Sequence, residues 1–114
     1  MNPSTSFPLF ESLDKNIPKK DLTVKQKEEY NTKVSELDTS GKELVYALIM
    51  VFYINTEETP LVDILPYKGK LVNDQHGNSD ISWVFSDFPI RLRHILYKFI
   101  MLHNKKMNEE SNYN

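Results

Sequence analysis

The sequence of 114 residues contains no cysteine. This absence excludes disulfide bonds, cysteine-based zinc sites, iron–sulfur clusters and thiol nucleophiles, and it is typical of proteins from a reducing compartment. No Asn-x-Ser/Thr acceptor for N-glycosylation occurs either, once x is required not to be proline. We therefore expect an intracellular protein.

Glycine is also scarce, with only Gly41, Gly69 and Gly77 in the chain. Their spacing excludes the G-x-G-x-x-G dinucleotide fingerprint, the P-loop and the G-x-S-x-G nucleophile elbow. The three histidines have no ligand spacing, and no triad or supported pair of carboxylates stands out. We therefore predict that the protein is not an enzyme and uses no cofactor and no metal.

Long hydrophobic runs are missing as well, because the longest, residues 44–54, is shorter than the roughly 20 residues that cross a bilayer. We expect no membrane partner. Residues 44–54 are nevertheless apolar on every face of a helix, and a helix of this kind needs cover on nearly all sides. Either the N-terminal arm or a second copy of the chain could supply it, and we favour a homodimer. The candidate residues for self-association are Leu44, Tyr46, Leu48, Val51 and Phe52.

Hydrophobic residues make up 39% of the chain and charged residues 26%, which is typical of one globular domain. Possible capping boxes at Thr23–Gln26 and Ser40–Glu43 precede apolar residues at helical spacing. The pattern predicts a mainly α domain with three helices, a short strand or hairpin between the second and third, and irregular flanks. The predicted helices span residues 23–37, 41–55 and 88–104, and the predicted strand spans residues 80–85.

We divide the chain into an N-terminal arm (1–21), a helical domain (22–104) and a flexible polar tail (105–114). Three prolines in residues 1–20 predict an irregular arm, although its apolar residues indicate partial docking and one short turn of helix around residues 10–14.

The charge is unevenly distributed, although the formal net charge is only −2. Residues 57–87 contain six acids and two lysines, whereas residues 88–106 contain five bases and no acid. A basic final helix is one way in which small helical domains bind DNA. The residues of that possible nucleic-acid face are Arg91, Arg93, His94 and Lys98. A solvated helix face explains the same residues, and the slightly acidic chain favours it.

The order of helix, tight turn, helix, long acidic loop with a strand, and proline-initiated helix resembles the extra-terminal (NET, or ET) domain of the BET bromodomain family. The resemblance covers residues 22–104. It begins with Leu22-Thr23 and the apolar positions of the first helix, continues at the Glu43-Leu44-Val45 start of the second, and is most apparent from Asp80 to Ile100. The strand departs from the family's alternating acids and isoleucines, because only Asp80 remains acidic.

The resemblance implies a nuclear module that binds Lys/hydrophobic-alternating segments of chromatin or transcription proteins. Such a ligand adds as a strand beside the domain's own strand, so that backbone bonds give affinity and alternate side chains give specificity. The implied peptide-binding residues are Asp80, Ile81, Ser82, Trp83, Val84 and Phe85. The alternative is that this strand only pairs with residues 70–72. Alternation places Trp83 on one face with Ile81 and Phe85, where it either belongs to the core or covers the second helix.

Overall fold

The computed structural model describes residues 7–57, 65–73, 75–77 and 79–111. It confirms a mainly α chain with a small antiparallel hairpin before the last helix. The elements are α1 (Pro8–Leu13), α2 (Val24–Val34), α3 (Thr39–Thr56), β1 (Lys70–Asn73), β2 (Ser79–Ser82) and α4 (Ile90–Ser111). Short 3-10 turns at Pro66–Lys68 and Phe85–Asp87 flank the hairpin.

Helix α4 lies at the centre, because α1, α2 and α3 all pack against it. Its apolar side chains recur every three or four residues and form one continuous buried face. The buried residues of that face are Leu92, Ile95, Leu96, Phe99 and Ile100. Helix α3 contributes Leu48, Ile49 and Phe52 to the same core. This packing brings the two most apolar stretches of the sequence together.

Helix α2 begins at the predicted capping box. The Thr23 hydroxyl accepts from the Gln26 backbone N–H, and the Gln26 side chain accepts from the Thr23 N–H. The helix ends at Val34 rather than at the predicted Leu37, which instead lies buried in the connection. The predicted helix was too long because the backbone of Asp38 has to be extended in order to cap the next helix.

Helix α3 starts at Thr39, and Asp38 rather than Ser40 is its cap. The Asp38 carboxylate accepts from the Gly41 N–H at 2.8 Å. A carboxylate is a favourable cap because it also interacts with the positive end of the helix dipole. The second predicted capping box is therefore wrong, and the cap lies two residues earlier.

The N-terminal arm contains one short helix, α1, close to the predicted turn of helix around residues 10–14, and residues 14–23 after it form no helix or strand. Pro8 occupies the first turn of α1, where its missing N–H costs no hydrogen bond. Phe10 and Leu13 are three residues apart, so both face the core, and the Phe10 ring lies 6.3 Å from that of Phe52. The helix spans Pro8–Leu13, slightly earlier in the sequence than the predicted residues 10–14.

Helix α4 differs from the predicted span 88–104 at both ends. Phe88 is extended because a residue before proline avoids helical geometry, so the helix begins only at Ile90. It continues to Ser111 because the lysine, methionine and glutamate residues of 105–110 are good helix formers. The flexibility of the tail 105–114 stays a prediction. No helix in the described ranges is long and apolar enough to span a membrane.

Substitution of Phe10 tests whether α1 is part of the core. We expect Phe10→Ala to lower the free energy of unfolding by about 3–5 kcal/mol, because it leaves a cavity against α3. Urea unfolding followed by circular dichroism measures the change. As a control, Val24→Ala removes an exposed apolar side chain and should stay within about 0.5 kcal/mol. An equally small effect of Phe10→Ala would show that α1 does not contribute to the core.

Candidate functional site

The predicted strand is real but shorter than predicted. Strand β2 covers residues 79–82, whereas Trp83 and Val84 follow it and Phe85 begins a 3-10 turn. It pairs antiparallel with β1 in the register Lys70↔Ser82, Leu71↔Ile81, Val72↔Asp80 and Asn73↔Ser79. The ladder stops at Ser82 because the segment before the paired strand β1 forms the Pro66–Lys68 turn and leaves the sheet. Pairing with residues 70–72, the alternative interpretation of the sequence, is therefore confirmed.

The predicted alternation of faces nevertheless extends beyond the strand. Ile81, Trp83 and Phe85 are half-buried, whereas Ser82 and Val84 are exposed. The Phe85 ring stacks on Tyr30 of α2 at a centroid distance of 4.4 Å. Of the six predicted peptide-binding residues, Trp83 and Phe85 thus hold the hairpin to the helices.

Trp83 anchors the base of the hairpin. Its indole N–H donates to the Pro66 carbonyl at 2.7 Å. Its ring centroid lies 6.1 Å from those of Tyr46 in α3 and Phe88 before α4. Trp83 therefore covers part of the apolar helix α3, which was one of the two roles predicted for it.

The turn that receives this indole has an unusual backbone. Tyr67 and Lys68 both have positive φ angles, 53° and 60°, in the left-handed region that non-glycine residues rarely occupy. The Tyr67 ring packs edge-on against Tyr53 and Phe88, which helps to hold the turn. Burial raises the pKa of the Tyr67 hydroxyl. Sequence analysis missed this turn as part of the site, and the only signal for it was the Pro-Tyr-Lys-Gly sequence itself.

Asp80, the one acid of β2, is exposed on the hairpin surface. Its carboxylate accepts from the N–H of Ile81 at 2.8 Å and forms no ion pair with any described residue. On β1, the side chains of Lys70, Leu71 and Val72 are all exposed. The hairpin therefore presents a polar and an apolar surface outside the core.

The four residues of the possible nucleic-acid face do lie together on α4, but each of them contacts the N-terminal arm. Arg91 forms two parallel 2.7 Å hydrogen bonds to Asp14, and Arg93 donates at 2.7 Å to Asp21. This bidentate pairing raises the pKa of Arg91. Both aspartates lie in a segment that sequence analysis assigned to an irregular arm.

The other two basic residues of this face bind carbonyl groups of the arm. His94 is buried, and its Nε2 donates to the Lys20 carbonyl at 2.5 Å. Lys98 donates to the carbonyls of Leu13 and Lys15. Its positive charge there also interacts favourably with the negative C-terminal end of the α1 dipole. The face thus serves to dock the arm, which disfavours the nucleic-acid alternative; that alternative stays a prediction.

The predicted self-association residues separate into two groups. Leu48 and Phe52 are 0% and 4% exposed within the chain's own core, so they are wrong as interface residues. The reason is that α4 packs against α3 and that Phe10 of α1 packs against Phe52. Tyr46 remains 40% exposed, and Leu44 and Val51 are half-buried. Self-association through these three residues stays a prediction.

Two aspartates outside the hairpin are stabilised in their charged form. A hydrogen bond from Lys27 is the main cause that lowers the pKa of Asp21, and Arg93 adds to it. For Asp38, the hydrogen bond from the Gly41 N–H is the main cause that lowers the pKa. The His103 Nε2 atom lies 3.2 Å from the same carboxylate. Both residues connect helices, so their role is structural. The described residues include no group of three or more potential metal ligands.

Comparison of the chain with protein-family models, with curated proteins and with solved structures gave no significant match.

Gly69 is the residue whose replacement should disturb the anchor most directly. A Cβ atom at this position would lie 2.4 Å from the Trp83 indole nitrogen, closer than atoms can approach. We expect Gly69→Ala to lower the free energy of unfolding by about 1–3 kcal/mol through overpacking. Because Trp83 is the only tryptophan, its fluorescence should also shift to the red. Ser82→Ala, at an exposed neighbouring position, is the control. An unchanged emission spectrum in Gly69→Ala would contradict the packing of Trp83 against this turn.

The lowered pKa values of Asp21 and Asp38 predict a loss of stability in acid. A carboxyl group whose pKa falls on folding stabilises the protein above its unfolded pKa, about 3.8 here. That contribution is lost as the pH falls from about 5 through 3.8 towards the folded pKa. Urea unfolding between pH 7 and pH 3 should show this loss, and the double variant Asp21→Asn/Asp38→Asn should show a flatter profile. An identical dependence of stability on pH in both proteins would show that Asp21 and Asp38 do not cause the loss in acid.

Proposed function

We propose that the chain is a non-catalytic interaction module that binds an extended segment of alternating lysine and apolar residues. The segment adds as a further strand to β2. The resemblance to the extra-terminal domain points to chromatin or transcription proteins as the source of the segment. This function belongs to the hairpin, and the helices provide the support.

The observation that carries the proposal is the position of β2 at the surface, in a sheet that has two strands among the described residues. Each strand of such a sheet has one edge whose backbone N–H and C=O groups the sheet leaves unpaired, and an extended peptide can bind there. No proline interrupts residues 79–82, so every residue of β2 keeps its donor. A further strand would also stabilise the hairpin, because isolated two-stranded hairpins are only marginally stable in water.

The charge around the hairpin supports a basic ligand. Asp80 is exposed, and it needs to give up only the N–H of its neighbour in order to bind a lysine. The surrounding sequence from residue 57 to residue 87 has an excess of acids. Electrostatic complementarity of this kind contributes mainly to specificity and to the rate of association.

The anchoring contacts supply the rigidity that a binding strand needs. The Trp83–Pro66 hydrogen bond and the stacking of Phe85 on Tyr30 fix the chain immediately after β2. The strand is therefore held in position before a ligand arrives, and less conformational entropy is lost on binding.

Reversal of the charge at Asp80 tests this proposal. We expect Asp80→Lys to weaken binding of a synthetic Lys/Ile-alternating peptide by roughly 1–2 kcal/mol, the range for a charge-assisted hydrogen bond. An NMR titration of isotope-labelled protein measures the affinity from the amide shifts of residues 79–82.

Glu36→Lys is the matched control, because it makes the same charge change at an exposed position between α2 and α3. An equal loss in both variants would indicate general electrostatic attraction and not a site at β2. If the peptide causes no amide shift at residues 79–82 of the unmodified protein, the proposed function is wrong.

A further inference from the structure

The carboxylate of Asp80 binds a backbone donor of its own strand. Its Oδ1 atom accepts from the Ile81 N–H at 2.8 Å. An aspartate that binds a neighbouring backbone group offers that group an alternative to the hydrogen bonds of a sheet. The consequence of this contact depends on the edge of β2 to which the Ile81 N–H points.

Two observations place the Ile81 N–H on the edge of β2 that faces away from β1, which we call the open edge. Opposed residues of an antiparallel pair alternate between those that exchange hydrogen bonds and those that do not, and Ile81 lies opposite Leu71. If these two exchanged hydrogen bonds, the same ladder would require the N–H of Gly69. That N–H donates instead to the Pro66 carbonyl at 3.1 Å. The Ile81 N–H is likewise directed elsewhere, to Asp80.

The Ile81 N–H is therefore a backbone donor in the middle of the open edge, with which no described strand pairs. A segment that adds as a strand at this edge needs that donor for its own C=O group. While Asp80 holds the N–H, an incoming C=O group finds the donor occupied. Charged side chains commonly protect exposed edges against unwanted pairing. Here the charged group does so by occupying a ladder donor.

The two faces of β2 favour a ligand with lysines on one side and apolar residues on the other. Asp80 and Ser82 share the exposed face, whereas Ile81 is half-buried on the opposite face. A ligand residue directly opposite Asp80 would have its Cβ atom roughly 5 Å from that of Asp80, within reach of a lysine. Asp80 forms no ion pair with any described residue, so its charge is available to such a ligand.

We propose that Asp80 blocks the open edge of β2 against segments without lysine, and that a ligand lysine draws the carboxylate away and releases the Ile81 N–H. This inference rests on the proposed function and goes beyond it, because it couples recognition of lysine to formation of the ladder. An exposed ion pair contributes little by itself. Because the same contact frees a backbone donor, its effect on selectivity is larger than that of the ion pair alone.

Two peptides and two substitutions at residue 80 test the coupling. The peptides are the synthetic Lys/Ile-alternating peptide and a peptide of the same length with threonine at every lysine position, which removes the charge and keeps a residue that favours strands. Asp80→Ala removes both the charge and the group that holds the Ile81 N–H. Asp80→Asn is the matched control, because it removes the charge but keeps an oxygen that accepts from this N–H. Neither alanine nor asparagine favours strands.

We expect Asp80→Ala to bind the Thr/Ile peptide about two- to tenfold more tightly than the unmodified protein, the factor that corresponds to one released hydrogen bond. Asp80→Asn should bind it more weakly than Asp80→Ala, and both variants should lose part of the preference for the lysine peptide. Without a ligand, the Ile81 amide should exchange with water faster in Asp80→Ala than in Asp80→Asn. NMR titration and amide exchange of isotope-labelled protein measure these quantities.

The outcomes separate the two proposals. Electrostatic attraction alone predicts that the Thr/Ile peptide has the same affinity for all three proteins, and that result would overturn the coupling. Equal exchange of the Ile81 amide in the two variants would overturn it as well. In either case, amide shifts of residues 79–82 caused by the lysine peptide would leave the proposed function standing. If neither peptide shifts these amides in any of the proteins, the proposed function fails, and the coupling fails with it.

Discussion

The burial of one face of α4 is the interaction on which the rest of the structure depends. Leu92, Leu96 and Ile100 are completely inaccessible to water, and all three other helices pack around this stripe. The opposite side of α4 is equally engaged, since its basic residues bind the N-terminal arm. The arm in turn places Phe10 against Phe52 and covers part of α3. One helix thus organises both the core and its cover.

The position of the hairpin depends on the same helix, because a cluster of aromatic side chains joins the base of the hairpin to the start of α4. Phe88, directly before α4, contacts Trp83, Phe85 and Tyr67, and these aromatic rings link the core to the base of the hairpin. Beyond this cluster the two strands have little contact with the core, and their exposed side chains contribute little to stability. The molecule therefore combines a packed helical core with a hairpin that is anchored at its base.

Much of the candidate site could be predicted from the alternation of residues 80–85. Ile81, Trp83 and Phe85 were expected on one face, and all three are half-buried. The end of the strand at Ser82 could not be predicted, because it is set by β1 and by the left-handed turn at Tyr67 and Lys68. Likewise, Arg91 and Arg93 were correctly placed on one face of the last helix. Their partners Asp14 and Asp21 lie more than 70 residues away in the sequence, and no local pattern connects them.

The sequence by itself determined the helical class, the three main helices and the presence of a short strand before the last one. These features follow from local spacing, capping groups and turn residues, which act within a few positions along the chain. Only the tertiary structure decided that the arm docks through Asp14 and Asp21 on the arginines of α4, and that Leu48 and Phe52 face inward. The physical reason is that burial and ion pairing depend on distant residues brought together by packing. Local patterns specify which faces are apolar, but not which element will cover them.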